Sequence, residues 1–381
     1  MKRGVATFTL DTGRCPPWLF QRMVRLGRAM TEVIVDEYGP DEFIARLGDP
    51  VWFQSLGTVL AFDWNASGLT TILTAALKEA IRGQERDLGI FICGGKGKTS
   101  RKTPQEIQDW GHRLSLPDRQ VQGLEYNSRM SAKVDSALIQ DNYQIYHHSF
   151  MFSKHGAWTV VQQGMNTVSQ TARRYHWHSL NLKDLIVEPH SGIASQVKGK
   201  SVLNLTAKGS DQTRSTSVAM VQASYDKLMG DLRLLDKYST PVSSVLRVGN
   251  DQEELALMKL APVEFSRHAV QREDFSKSGY LKRILQQLYE SQPADYEQLL
   301  YTPGVGPKTI RALSLVSEVM YGARPSYRDP ARYSFAHGGK DATPYPVDRS
   351  TYDKTIQTIG ELVRKSRIAG REKDQALSRL F

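Results

Sequence analysis

Between Tyr143 and Met165 the chain reads YQIYHHSFMF, SKHG, AWTVVQQGM. Two runs dense in aromatic and β-branched residues, parted by a short turn at Lys154–His155–Gly156, predict an antiparallel hairpin. Around it the first half is mixed. Residues 5–10 (VATFTL) alternate as a strand does, and Pro16–Pro17 opens a helical WLFQRMVRLGRAMTEVIVDEY. Leu69–Ile81 reads as a helix, followed by a short apolar strand at Leu88–Cys93 that runs into a flexible basic turn, Gly94–Gly95–Lys96–Gly97–Lys98. Residues 128–140 are expected to be helical, and a strand at Ser201–Leu205 closes this part.

The polar run Ser210–Ser217 (SDQTRSTS) marks a boundary, beyond which the spacing is helical. Val218–Tyr238, Gln252–Leu260 and Tyr280–Glu290 carry apolar residues three and four apart, with Ser276 as a cap for the last of these. Tyr352–Leu380 is helical and basic. The expected fold class is α+β: an N-terminal mixed α/β domain over 1–212, then an all-α domain over 213–381.

Composition narrows the function classes. With 40% hydrophobic and 24% charged residues in 381, the chain can bury more than one core and is not disordered as a whole. It holds no apolar run of membrane-span length and opens without a signal-type segment, so a cytoplasmic location without membrane contact is expected. Two cysteines, Cys15 and Cys93, cannot build a disulfide framework or a cysteine-only metal site. Fifty Lys and Arg against 40 acids give +10, with a pI near 9.4. A balance this basic favours a polyanionic partner, because neutralised phosphates release counterions.

Residues 299–313, LLYTPGVGPKTIRAL, show how such a partner could be held. A helix ends near Leu300, a turn follows through Pro303, Gly304, Val305 and Gly306, and Pro307 stands where a new helix can begin. Gly304 and Gly306 can take positive φ and leave backbone N–H groups uncovered at a helix start, a grip on phosphate that reads no sequence. Val305 can plug the apolar space beneath. The run resembles the helix-hairpin-helix element of DNA-binding proteins, with Thr302 in place of the usual leucine. Further on, the Gly/Pro-rich GGKDATPYPVDRSTYD delivers Val347–Asp348 ahead of a helix, and GVGPKT puts Lys308 and Thr309 directly after the hairpin. Together these resemble the helix-hairpin-helix DNA glycosylase superfamily.

That resemblance implies a DNA-repair enzyme that removes a damaged or deaminated base, with Lys308 as nucleophile and Asp348 as its carboxylate partner. An amine can attack the anomeric carbon and leave a Schiff base, while a carboxylate stabilises positive charge on the sugar. The target base would be flipped out of the duplex. Double-stranded DNA is the implied partner, in a nucleoid-associated protein, with contacts from Pro303, Gly304, Val305, Gly306 and Thr309. No cofactor is expected, and no iron–sulfur centre, although the hairpin could hold a monovalent cation. Lys308 and Asp348 stand 40 positions apart, so the segment near Ala323–Lys340, with Arg324, Tyr327, Arg328, Arg332 and Tyr333, is expected to loop out over DNA.

In the first half, CPPWLF, FDWNASGLTT, GGKGK and QQGMN–ARRYHW resemble a prokaryotic family of domains of unknown function, along nearly the whole chain. Read from its residues, CGGKGK lacks the spacing of a nucleotide-binding loop, and Lys96 and Lys98 are expected to meet nucleic-acid phosphate. Arg173 and Arg174, beside Tyr175 and Trp177, read as a further nucleic-acid surface. Asp135, Asp141 and Gln162–Gln163 are loosely similar to restriction-type nuclease cores, which would need Mg²⁺ or Mn²⁺. The alternatives to a glycosylase are therefore a metal-dependent nuclease with its site in the N-terminal domain, or a DNA-binding protein without activity. His147, His148, His176, His178 and His190 are expected to be core or DNA-facing histidines rather than metal ligands, and TARRY looks helical.

Overall fold

A computed structural model describes residues 8, 10, 15–60, 66–238, 273–332 and 349–380. The protein is mixed α and β, with an α/β region first and helices later. The hairpin forms as read. β3 (Gln144–Ser153) and β4 (Trp158–Asn166) pair antiparallel and sit at the centre of a five-stranded sheet. Its other members are β1 (Ile90–Lys96), β5 (Thr171–His178) and β6 (His190–Ser195), in the order β1-β3-β4-β5-β6, every neighbouring pair antiparallel. TARRY is thus strand rather than helix: it is hydrogen-bonded to β4 on one side and β6 on the other, and this pairing overrides its local propensity.

Strand alternation sends successive side chains to opposite faces. Ile90, Ile92, Met151 and Val161 face α1 (Pro17–Tyr38), α2 (Pro40–Gly48), α3 (Pro50–Val59) and α4 (Ala66–Ala80). Phe91, Cys93, Phe150, Phe152, Val160 and Trp177 face α6 (Thr103–Arg113) and α7 (Asp118–Ala137). A four-residue helix, α5 (Glu85–Leu88), leads into β1. The core on the second face continues without a break into α8 (Asp211–Ala223), α9 (Tyr225–Tyr238), α10 (Gly279–Ser291), α11 (Tyr296–Tyr301) and α12 (Pro307–Tyr321). The last helices, α13 (Arg349–Lys365) and α14 (Gly370–Leu380), return to the first face through Ile359, Leu362, Val363 and Ala376.

Several boundaries differ from the sequence reading. The polar run at 210–217 is the start of α8, with Thr213, Arg214 and Ser217 buried and the core running on past it. Val218–Tyr238 breaks in two at Ser224, and the C-terminal helix breaks between 365 and 370. Residues 128–140 stop as helix at Ala137, because Ile139–Gln140 (β2) pairs with Leu203–Asn204 (β7) in a separate two-stranded ladder. Ser278, not Ser276, caps α10 by accepting from the Leu281 N–H. β1 runs on through Gly94 and Gly95 to Lys96, since both glycines pair with β3 at Ser149 and His148. Of the 5–10 strand, Phe8 and Leu10 are described and bond with Ala172 and Gln170, while Gln252–Leu260 lies outside the described residues.

Arg173 and Arg174 are not a surface. Both are fully buried, on opposite faces of β5. Arg173 donates to Asp141 at 2.8 Å and, with two nitrogens, to Asp329 at 2.8 and 3.1 Å. Arg174 donates to Gln54, Thr70 and the Pro50 carbonyl and lies over the Phe53 ring. Asp329 belongs to the segment expected to loop out over DNA. Instead, Ser326 bridges to Asn204 and the Arg332 N–H donates to the Ile193 carbonyl, so residues 326–332 are tied to the first half. Residues 333–340 lie outside the described residues.

Removing Arg173 would strand two buried carboxylates, which costs about 3–5 kcal/mol for such pairs. Arg173→Ala should therefore lower the urea-unfolding free energy by about that much. A loss under about 1 kcal/mol would mean the pair is not integral to the fold.

Candidate nucleic-acid interface

α11 is short, capped by Asp295, whose carboxylate accepts from the Gln298 N–H at 2.8 Å. Its C-terminal carbonyls have no helical partners, and the ammonium of Lys133, arriving from α7, donates to those of Leu300, Tyr301 and Thr302 at 2.6, 3.2 and 2.8 Å. Three donors meet three acceptors, so the lysine is saturated. Burial lowers its pKa to about 8, which keeps it mostly protonated at neutral pH.

The turn that follows is fixed from beneath. Gly304 has φ +85°, and a Cβ there would collide with Ile284 of α10. The Tyr280 hydroxyl donates to the Gly304 carbonyl. Val305 is buried in the core, as its plug role requires. Gly306 differs from expectation: its φ of −149° is extended backbone, and it serves as the N-cap of α12. Pro307 takes the first helical position, so the N–H groups of Lys308 and Thr309 fall in the first turn, where no preceding carbonyl can accept them. Thr309 is buried whole, backbone and side chain alike, and so is not the DNA contact expected of it, while Pro303 stands exposed on the turn.

Lys308 is about a third exposed and lies 3.4 Å from the carboxylate of Glu273, which also pairs with Arg311. Asp348 lies outside the described residues, as does the loop before it. Lys96 and Lys98 are exposed at the end of β1 and in the turn Gly97–Lys102, on a different part of the molecule from the hairpin. Lys133 and Tyr280 had no signal in the sequence, because each meets the hairpin from an element read only for its periodicity, and Glu273 lies between the elements that were read.

The acidic residues likened to a nuclease core hold separate sets of protein partners. Asp135 accepts from His190 at 2.5 Å, from Trp177 at 3.1 Å and from Gln162. Asp141 accepts from Arg173 and, at 2.6 Å, from the Tyr175 hydroxyl. Gln163 turns to the other face, toward the Ser67 carbonyl and Tyr146. Among the described residues no group of three or more His, Cys, Asp or Glu is arranged to hold a metal ion. His148 bonds Gln162 and Ser128, His176 faces the Leu47 carbonyl, and His147 meets Thr74.

The fold is therefore that of a mixed α/β protein whose antiparallel sheet is covered on both faces, with a glycine turn between two helices and a lysine in the first turn of the second. The chain belongs to the family described as a protein of unknown function, DUF763, which matches residues 4–347. No curated protein and no solved structure matches it. No helix among the described residues is long and apolar enough to cross a membrane.

The buried histidines set a pH dependence. Burial depresses His147 to about 3 and lowers His148 and His176 as well. Their folded values lie below the unfolded value of about 6.5, so the unfolded chain takes up protons first as pH falls. Stability is then full above about pH 6.5 and declines below it, His147 alone contributing about 1.4 kcal/mol per pH unit well under that point. The urea midpoint should drop between pH 7.5 and 5, and an unchanged midpoint would contradict the neutral, buried state of these rings.

Proposed function

We propose that this protein binds double-stranded DNA through the Thr302–Gly306 turn, in the manner of a helix-hairpin-helix element, and is a DNA-repair glycosylase that excises a damaged or deaminated base. The observation carrying the binding reading is the turn itself. Gly304 at φ +85° and buried Val305 shape it, and α12 begins directly behind it with Lys308, whose backbone N–H has no partner within the helix, in its first turn. Phosphate recognition of this kind is independent of sequence and steeply salt-dependent.

The chemical reading rests on Lys308 in GVGPKT and, by resemblance, on Asp348. The free amine attacks C1′, the N-glycosidic electron pair leaves with the base, and opening of the sugar ring gives a Schiff base. The ion pair with Glu273 has to open before that attack. This same pair favours a second reading, in which Lys308 only contacts phosphate and the protein binds DNA without cutting it.

Borohydride trapping in EDTA separates these readings, using duplexes bearing uracil, hypoxanthine, 8-oxoguanine, alkylated bases or an abasic site. The glycosylase reading expects a covalent adduct on one lesion, lost in Lys308→Ala, or alkali-labile sites if water replaces the amine. Neither product, with Lys308→Ala weakening binding and lowering the salt slope by about one, leaves the binding reading. Cutting restored by Mg²⁺ or Mn²⁺ would overturn the glycosylase in favour of a nuclease. A protein whose DNA affinity ignores both salt and Lys308→Ala would sink the hairpin's role altogether.

A further inference from the structure

The first face of the sheet holds a second feature that DNA binding does not use. A cleft of about 790 Å³ opens between α1, α4 and the end of β1, within the range of small-molecule sites. Leu19, Phe20 and Ile72 form an apolar wall, and Tyr146 and Lys96 stand at the polar end. The Lys96 ammonium lies 5.9 Å from the Tyr146 ring centroid, and no carboxylate pairs with it among the described residues. At the floor sits Ser149, 1% exposed, whose hydroxyl has no hydrogen-bond partner among the described residues. Buried polar atoms are rarely left so, because desolvation without a partner is costly.

The polar end is held rigid. Glu106 accepts from the Gly94 N–H at 2.8 Å and from the Lys78 ammonium at 2.6 Å, and Lys78 also reaches the Gly94 carbonyl at 3.2 Å. Gly94 itself has φ +84°, and a Cβ would collide with the His148 carbonyl and Thr103. A bulge between Ile145 and His147 turns Tyr146 toward this face. Arg82 is paired with Glu79 and Lys78 with Glu106, which leaves Lys96, among the described residues of the lining, as the cation for a ligand.

An apolar wall, an ammonium and a hydroxyl that have no ion-pair or hydrogen-bond partner among the described residues suit an amphipathic anion with a flat body. We infer that this cleft binds a mononucleotide, its phosphate at Lys96 and the β1 end, its base against Phe20 and Ile72, and a polar atom on the Ser149 hydroxyl. The site is independent of the hairpin, which packs on the opposite face of the sheet.

Calorimetry on the full chain with AMP, GMP, CMP and dTMP, alongside adenosine and inorganic phosphate, tests it. One nucleotide should saturate a single site, with its nucleoside and free phosphate each at least about tenfold weaker. Lys96→Ala and Ser149→Ala should each weaken that nucleotide about tenfold or more. Ser149→Ala should do so while the ligand-free melting temperature holds or rises, since it removes only an unpaired hydroxyl. No saturation by about 1 mM with any nucleotide would overturn the inference. So would phosphate binding as tightly as the nucleotide, or affinity unmoved by both substitutions.

Discussion

A guanidinium that cannot reach water organises this molecule. Arg173, in the middle of β5, is flanked by Asp141 before the hairpin and Asp329 far along the chain. Each carboxylate is itself fully used: Tyr175 and the Tyr143 N–H meet Asp141, and the N–H groups of Gly199 and Ala331 meet Asp329. Buried charge is tolerated only when geometry and remaining hydrogen bonds are satisfied together, so these segments can settle in one arrangement. The consequence is that 326–332, directly after the hairpin helix α12, is fastened to the sheet. The hairpin is thus anchored on one side by Lys133 from α7 and on the other by the Arg173 pair.

The sheet separates two chemistries by the simple alternation of strand side chains. Gln162 and Gln163 are neighbours in sequence, yet one joins Asp135, His148 and Ser131 under α7 and the other reaches Ser67 and Tyr146 beside α4. His147 and His148 part in the same way, to Thr74 and to Ser128. A polar dipeptide in a central strand therefore serves two layers, and each polar group must find partners within its own layer. Asp135 and Asp141 are absorbed by this requirement, which is why their resemblance to a metal-holding pair does not extend to their surroundings.

The local features of this chain were legible because they are set by local rules. Pro16–Pro17 starting a helix, the β3–β4 hairpin, and Val305 seated between the glycines of a turn all follow from nearby residues. Burial of charge was not legible. Arg173 and Arg174 beside aromatics look the same on a surface and in a core, and what distinguishes the two cases is partners far along the chain: Asp329, 156 positions from Arg173, and Gln54 and Thr70, 120 and 104 positions from Arg174. Lys308 was found by its place after the hairpin, but its partner Glu273 lies outside any motif. Helix breaks at Ser224 and after Lys365 escaped for a related reason: periodicity continues across a break when both helices pack on the same core.

The two candidate sites also differ in how their polar groups are left. At the hairpin the donors are those of Lys308, in the first turn of α12: a backbone N–H that no helical carbonyl precedes and a side chain about a third exposed. In the cleft the open group is a buried hydroxyl, Ser149, surrounded by partners that are already matched: Glu106 by Lys78 and Gly94, Tyr146 by Gln163. An exposed donor loses little when nothing binds, because water serves it. A buried one is costly in every unliganded molecule, and the saturated clamp around it prevents relaxation toward another partner. The first arrangement suits a partner met transiently along a polymer. The second suits a compact ligand that fills the cleft and supplies the missing bond.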